Sequence, residues 1–225
     1  MKNESKLKKQ AEAIAAVAPP SFEELPDLGL YMDQVTGYLG RHLRAIAPER
    51  EDAILTPSMV NNYVKNGHID RPVQKKYSRE QLAALYMLCS LKSNLSIPDA
   101  AALVRFLCEE QGNAGAYNGF IAEQKQVMAE VAATFDRLPD EARDEDVTAL
   151  AHDLIQRACA ERLAAEALIA YLSEKNEARL ARQREQEEKE RAKKEAVEKA
   201  KKAAEKAEKA AEKAKKPETA EKKKG

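Results

Sequence analysis

Three helix starts fall within residues 56–99 of this chain, and their spacing leaves room only for short elements between them. Thr56-Pro57 sets a hydroxyl that can accept a bond from an orphan amide directly before a proline, which loses no needed donor at the first helical position. Ser78, with Gln81 three residues on, is a capping box. Ser96 with Pro98 and Asp99 forms the third start. Asn66-Gly67 closes the first helix, because glycine takes the left-handed conformation that ends one. Residues 69–76 hold Pro72 and no helical period, which suits a small β-hairpin, or wing. The predicted order over residues 54–107 is helix, wing, helix, helix.

Apolar spacing extends the helical reading on both sides. Residues 28–46 place Leu30, Val35, Tyr38, Leu39, Leu43 and Ile46 at three- and four-residue steps, an amphipathic helix. Residues 47–53, with Pro48 and four charges, interrupt it. In the helix from Ser78 the expected buried face is Leu82, Leu85, Tyr86, Leu88, Cys89 and Leu91; in the next it is Ala102, Leu103, Phe106 and Leu107. A break at residues 112–115 separates these from two long helices, 117–138 and 147–172, divided at Pro139-Asp140. The second of these carries a stripe close to heptad spacing, which suits a helix seam and a possible homodimer contact through residues 117–172. Residues 2–17 read as a short helix of mixed polarity, frayed or partner-dependent, ended by Pro19-Pro20.

Four segments result: a charged N-terminal segment (1–20), a compact domain (21–111), a helical hairpin (112–173) and a tail (174–225). The tail is Ala, Glu, Lys and Arg almost alone, with Val197 its only sizeable aliphatic residue after Leu180. Such a run has high helix propensity and many opposite-charge pairs but nothing to bury, so a solvated helix or disorder is expected. With 34% charged residues, 5% aromatics and no Trp, an all-α body around small aliphatic cores is favoured.

A net charge of zero conceals an uneven distribution. The tail holds 19 basic against 13 acidic residues and the remainder 19 against 25. Cys89, Cys108 and Cys159 lie far apart in apolar, helix-patterned runs, so buried reduced thiols are expected and no metal. A charged N-terminus and the lack of a long apolar run predict a cytoplasmic protein. No phosphate-binding glycine loop, HExxH, GxSxG or paired catalytic motif occurs, and the glycines of residues 112–119 lack the strand and Lys-Ser/Thr of a phosphate cradle. The expectation is a non-enzymatic protein with no cofactor. His42 and His152 are isolated and receive no role.

Within the acidic body, residues 54–92 are locally basic: Lys65, Arg71, Lys75, Lys76, Arg79 and Lys92 stand against Asp70 and Glu80. Cations that reach phosphates release counterions, so this cluster has the electrostatic signature of a groove-binding module. Over residues 57–65, Met59, Val60, Tyr63 and Val64 take one helix face and leave Ser58, Asn61, Asn62 and Lys65 on the other. Asn can pair with an adenine edge in the major groove, while Ser and Lys can hold phosphates. His68 is expected as a turn residue near DNA.

These residues resemble a known pattern. Thr56-Pro57-Ser58-Met59-Val60-Asn61-Asn62-Tyr63-Val64-Lys65-Asn66-Gly67-His68-Ile69, then Lys76-Tyr77-Ser78-Arg79-Glu80-Gln81-Leu82, then Leu95-Ser96-Ile97-Pro98-Asp99, resembles MerR-like winged helix-turn-helix regulators. Asn61 to Lys65 with Lys75-Lys76-Tyr77-Ser78 is more closely similar to a bacterial family, domain of unknown function 1836. The resemblance covers roughly residues 28–107. It implies double-stranded DNA as partner, a recognition helix in the major groove and a wing on phosphates, in a bacterial transcription regulator. By position, Tyr63 matches the family's Tyr near the end of the recognition helix and Tyr77 the Tyr that closes the wing; both are expected as core residues first, with hydroxyls able to reach phosphate as a second role. The connection 47–53 is longer than the family's tight turn and adds Glu49, Glu51 and Asp52 near the presumed DNA face. A protein-interaction or scaffold module on the same fold is the alternative reading.

Overall fold

The computed structural model describes residues 2–46, 55–139 and 142–214. Among the described residues six helices run in order: α1 (Lys2–Ala15), α2 (Met32–Ile46), α3 (Pro57–Lys65), α4 (Arg79–Leu91), α5 (Ile97–Ala133) and α6 (Asp144–Ala214), with a 3-10 turn, Thr134–Arg137, after α5. The connection 47–54 with its three acidic residues, residues 140–141 and the Lys-rich end 215–225 lie outside the described residues, as does the side chain of Val197. By contact the chain divides into Met1–Tyr171 and Leu172–Gly225.

All three predicted caps form. Thr56 accepts from the Met59 amide at 3.3 Å with Pro57 at the first position, and Asn66 and Gly67 (φ 72) close α3. Ser78 and Gln81 complete both halves of the capping box on α4, with the Ser78 amide donating to Gln81 Oε1 at 2.8 Å. Ser96 caps α5 and donates to Asp99 Oδ2 at 2.6 Å. Each cap satisfies donors that a helix end otherwise leaves bare.

The core of Met1–Tyr171 is built around α4. Leu82, Ala83, Leu85, Tyr86, Met87, Leu88 and Cys89 are all buried, so this helix is covered over most of its circumference rather than along one stripe, while Glu80 stays exposed and Ala84 and Leu91 are half-buried. Against it pack Val35, Leu39 and Leu43 of α2, Val60 and Tyr63 of α3, and Ala100, Ala101 and Val104 of α5. The expected inward face of α5 is therefore rotated: Ala102 is buried but outside this core, and Leu103, Phe106 and Leu107 are only half-buried.

The rotation is accompanied by a kink. Gly112 has φ 70 and ψ 165, a region open in practice to glycine alone, and beyond it α5 carries Tyr117 into the core. Tyr117 meets Phe22 and Tyr86 edge-on at centroid distances of 6.3 and 5.8 Å, and Asn118 Oδ1 accepts from the Phe22 amide at 2.8 Å. A Cβ at Gly112 would meet nothing within 4 Å, so any cost of adding one is backbone strain alone. Gly112→Ala is expected to lower unfolding free energy by about 1–3 kcal/mol in urea titration; an unchanged midpoint would show that the kink is not required.

Contrary to the expectation of a frayed segment, α1 packs against α5 and the 3-10 turn, and Val17 behind it is buried. The first part of α6 buries Leu150 and Ile169, and Arg137 of the 3-10 turn bonds Asp153 of α6 at 3.2 Å. The predicted seam is only partly closed, since Ile155 and Leu168 are 58% and 65% exposed. In Leu172–Gly225, α6 continues as a charged helix through Ala214, with pairs such as Lys189–Glu185 at 2.5 Å and Arg191–Glu195 at 3.3 Å. Exposed pairs of this type contribute only a few tenths of a kcal/mol each.

Candidate nucleic-acid interface

Helix α3 is short because its start and stop are both encoded, and it buries Val60 and Tyr63 while Met59 and Val64 are half-buried. Ser58, Asn61, Asn62 and Lys65 are all exposed, at the i, i+3, i+4 and i+7 positions of one face. His68, half-buried, donates its amide to the Tyr63 carbonyl at 2.8 Å and turns the chain toward Ile69, which is buried.

The following segment is not a β-wing with strands. Among the described residues there is no strand, and the pairing reduces to two isolated antiparallel bridges, Val73 with Lys76 and Leu30 with Tyr77. The Lys76 amide donates to the Val73 carbonyl at 2.9 Å; Leu30 and Tyr77 exchange two bonds of 3.0 and 2.8 Å. The chain between is too short for a ladder: Pro72 lacks a donor and Ser78 already caps α4. Gln81 Nε2 donates to the Asp70 carbonyl at 2.7 Å and fastens the hairpin to α4.

Gln74 and Lys75 form the tip, both with positive φ (50 and 64), the conformation of a two-residue I′ turn. Neither is Gly or Asn, the residues that adopt it at least cost. Arg71, Lys75 and Lys76 are exposed, and no described residue forms an ion pair with Lys65, Arg71 or Lys75. Lys76 is engaged otherwise: its Nζ lies 5.3 Å from the centroid of the Tyr31 ring.

Three of the candidate contact residues face inward, two of them as the core reading of Tyr63 and Tyr77 expects. Tyr63 and Tyr77 lie in the core at 5% and 3% exposure, and burial pushes the Tyr63 hydroxyl up to about 12, so these residues frame the site rather than face a partner. Arg79 turns inward. Its Nε donates to the Leu25 carbonyl at 3.0 Å, its guanidinium pairs with Asp27 at 3.5 Å, and it stacks 5.7 Å from the Phe22 centroid. Every one of these partners lies on the segment before α2, so Arg79 anchors that segment. Arg79→Ala is expected to cost about 1–2 kcal/mol of stability. Affinity for duplex DNA in moderate salt should stay within about twofold of wild type; a drop of about tenfold or more would return Arg79 to the contact set.

The thiols also divide. Cys89 is buried and its thiol is pushed up to about 11 by that burial, which keeps it protonated and unreactive. Cys108 is half-buried, whereas Cys159 on α6 is exposed, against the expectation of three buried thiols. Among the described residues no group of three or more His, Cys, Asp or Glu could hold a metal ion. Nor does any described helix combine the length and apolar character needed to cross a membrane.

One exposed residue at this site escapes the sequence pattern: Tyr31, opposite Lys76. Its placement follows from the Leu30–Tyr77 bridge, which joins residues far apart in the chain. No curated protein and no solved structure matches the chain. Residues 20–120, which hold α2, α3, the hairpin, α4 and α5 past its kink, match the family model described as Domain of unknown function (DUF1836), and it is to that family that this part of the chain is similar.

Proposed function

We propose that this protein is a sequence-specific DNA-binding transcription regulator of MerR-like type, with α3 in the major groove and the 73–76 hairpin on flanking phosphates. The observation that carries the reading is the outer face of α3. Ser58, Asn61, Asn62 and Lys65 stand exposed together over a buried apolar face, on a helix of the length a major groove admits. Asn61 and Asn62 supply side chains that can read adenine, and Ser58 and Lys65 can hold phosphates.

The hairpin supports the same reading. Two consecutive non-glycine residues at positive φ cost free energy that a Gly or Asn pair would avoid. Retaining Lys75 at that tip makes sense where its cation is used. Arg71 and Lys76 on the same hairpin add to the local positive charge.

A salt series tests the reading against a protein-interaction module. Binding of the full chain to genomic fragments should weaken steeply between about 50 and about 200 mM salt, as several phosphate contacts require. Fragment retention that is absent, or indifferent to salt, contradicts the proposal.

A further inference from the structure

Antiparallel pairing fixes which side chains share a face. With Leu30 opposite Tyr77, Tyr31 falls opposite Lys76, and the second bridge puts Val73 on the other side of Lys76. Tyr31, Lys76 and Val73 thus form one row across the hairpin, while Tyr77, on the alternate face, is buried. Tyr31 is 52% exposed and Val73 77% exposed.

The row is held in place from below. The chain at Gly29 runs so close to Lys76 that a Cβ there would lie 2.9 Å from the Lys76 Cβ. The Tyr31 amide donates to Gln34 Oε1 at 2.9 Å and its carbonyl accepts from the Val35 amide at 2.9 Å, which pins the residue at the start of α2. The Lys76 ammonium rests over the Tyr31 ring, an exposed arrangement that leaves the ammonium able to reach an anion.

Resting on the DNA-binding reading above, we propose that this row is a second part of the interface. The Tyr31 ring and the Val73 side chain pack on deoxyribose rings, next to a phosphate bound by Lys76. The occupant is duplex DNA because the apolar pair is bracketed by Arg71, Lys75 and Lys76, and the apolar part of a nucleic-acid backbone is its sugars. The contact supplies affinity without sequence information, and without counterion release, so it has its own signature in a salt series.

The test measures affinity of the full chain for a short mixed-sequence duplex across a salt series, for wild type, Tyr31→Ala, Tyr31→Phe, Val73→Ser and Lys76→Ala. Tyr31→Ala should lower affinity about tenfold at every salt concentration with the slope of log affinity against log salt unchanged, as loss of buried apolar area predicts. Tyr31→Phe should bind as wild type, Val73→Ser about threefold more weakly, and Lys76→Ala should lower the slope by about 1. Thermal melting of each variant separates binding from folding, and Val73→Ser provides an arm independent of the α2 start.

Unchanged affinity for both Tyr31→Ala and Val73→Ser, alongside a lower slope for Lys76→Ala, overturns the sugar contact and leaves the DNA reading standing. A Tyr31→Ala effect confined to the slope also overturns it, since the ring would then act only through the ammonium. Wild-type protein that fails to bind any duplex removes both together.

Discussion

Replacing Lys75 by glycine is expected to make the protein more stable and a weaker binder of duplex DNA. At φ 64 a lysine backbone is strained and a glycine backbone is not, so Lys75→Gly should raise unfolding free energy by about 0.5–1 kcal/mol. The same change removes an exposed cation that no described residue neutralises. Combined with Lys76→Ala, it should lower the slope of log affinity against log salt by about 2 and weaken binding roughly 10- to 100-fold near 100 mM salt. Urea titration and fluorescence anisotropy on the same preparations measure the two quantities. Opposite signs mark a tip kept for its contacts; a more stable variant with undiminished affinity would mean that the tip lysine has no DNA partner.

Tyr86→Ala should be the most damaging single change, lowering unfolding free energy by about 3–5 kcal/mol. Tyr86 is 1% exposed at the centre of α4, meets the Tyr117 ring edge-on, and donates its hydroxyl to Gln124 Oε1 at 3.0 Å on α5 beyond the kink. Truncation leaves a cavity, strips Tyr117 of a ring contact and deprives Gln124 of a bond. Tyr86→Phe keeps the packing and should cost only about 1 kcal/mol.

Tyr117→Phe should behave oppositely. The Tyr117 hydroxyl is buried without a hydrogen-bond partner among the described residues, and its burial raises the phenol well above the ordinary tyrosine range. Removing it relieves an unmet desolvation cost, so stability should hold or rise by about 1 kcal/mol. A loss above about 1 kcal/mol in urea titration would show that the hydroxyl has a partner.

The features legible in the sequence are those decided locally. Thr56-Pro57, Ser78 with Gln81, and Ser96 with Asp99 each cap a helix through neighbours within three residues, and each helix begins where its cap places it. The polar face of α3 was legible for the same reason, since helical spacing alone separates Asn61 and Asn62 from Val60 and Tyr63. What escaped depends on partners distant in sequence. Arg79 looks like another phosphate ligand until Phe22, Leu25 and Asp27 are brought beside it. Tyr31 has no visible role until Leu30 pairs with Tyr77.

The wing illustrates an intermediate case. Residues 69–76 do turn back as predicted, but Pro72 and the cap at Ser78 leave too little chain for strands. Helix α1 packs on α5 although its mixed polarity shows no clear apolar stripe in the sequence. The apolar neighbours of Cys159 predict a buried thiol, yet on α6 it is exposed. Periodicity identifies a helix more surely than it tells which side will find a partner.

Reading of base sequence by α3 is the heart of the proposed function. Genome-wide fragment enrichment with the purified full chain, run in parallel with Asn61→Ala and Asn62→Ala, tests it most directly. A defined motif is expected for wild type and a relaxed motif for at least one variant, with a change of about 1–3 kcal/mol in discrimination at the affected base pair and little loss of overall retention. Enrichment without sequence preference, or the same motif from all three proteins, would contradict it.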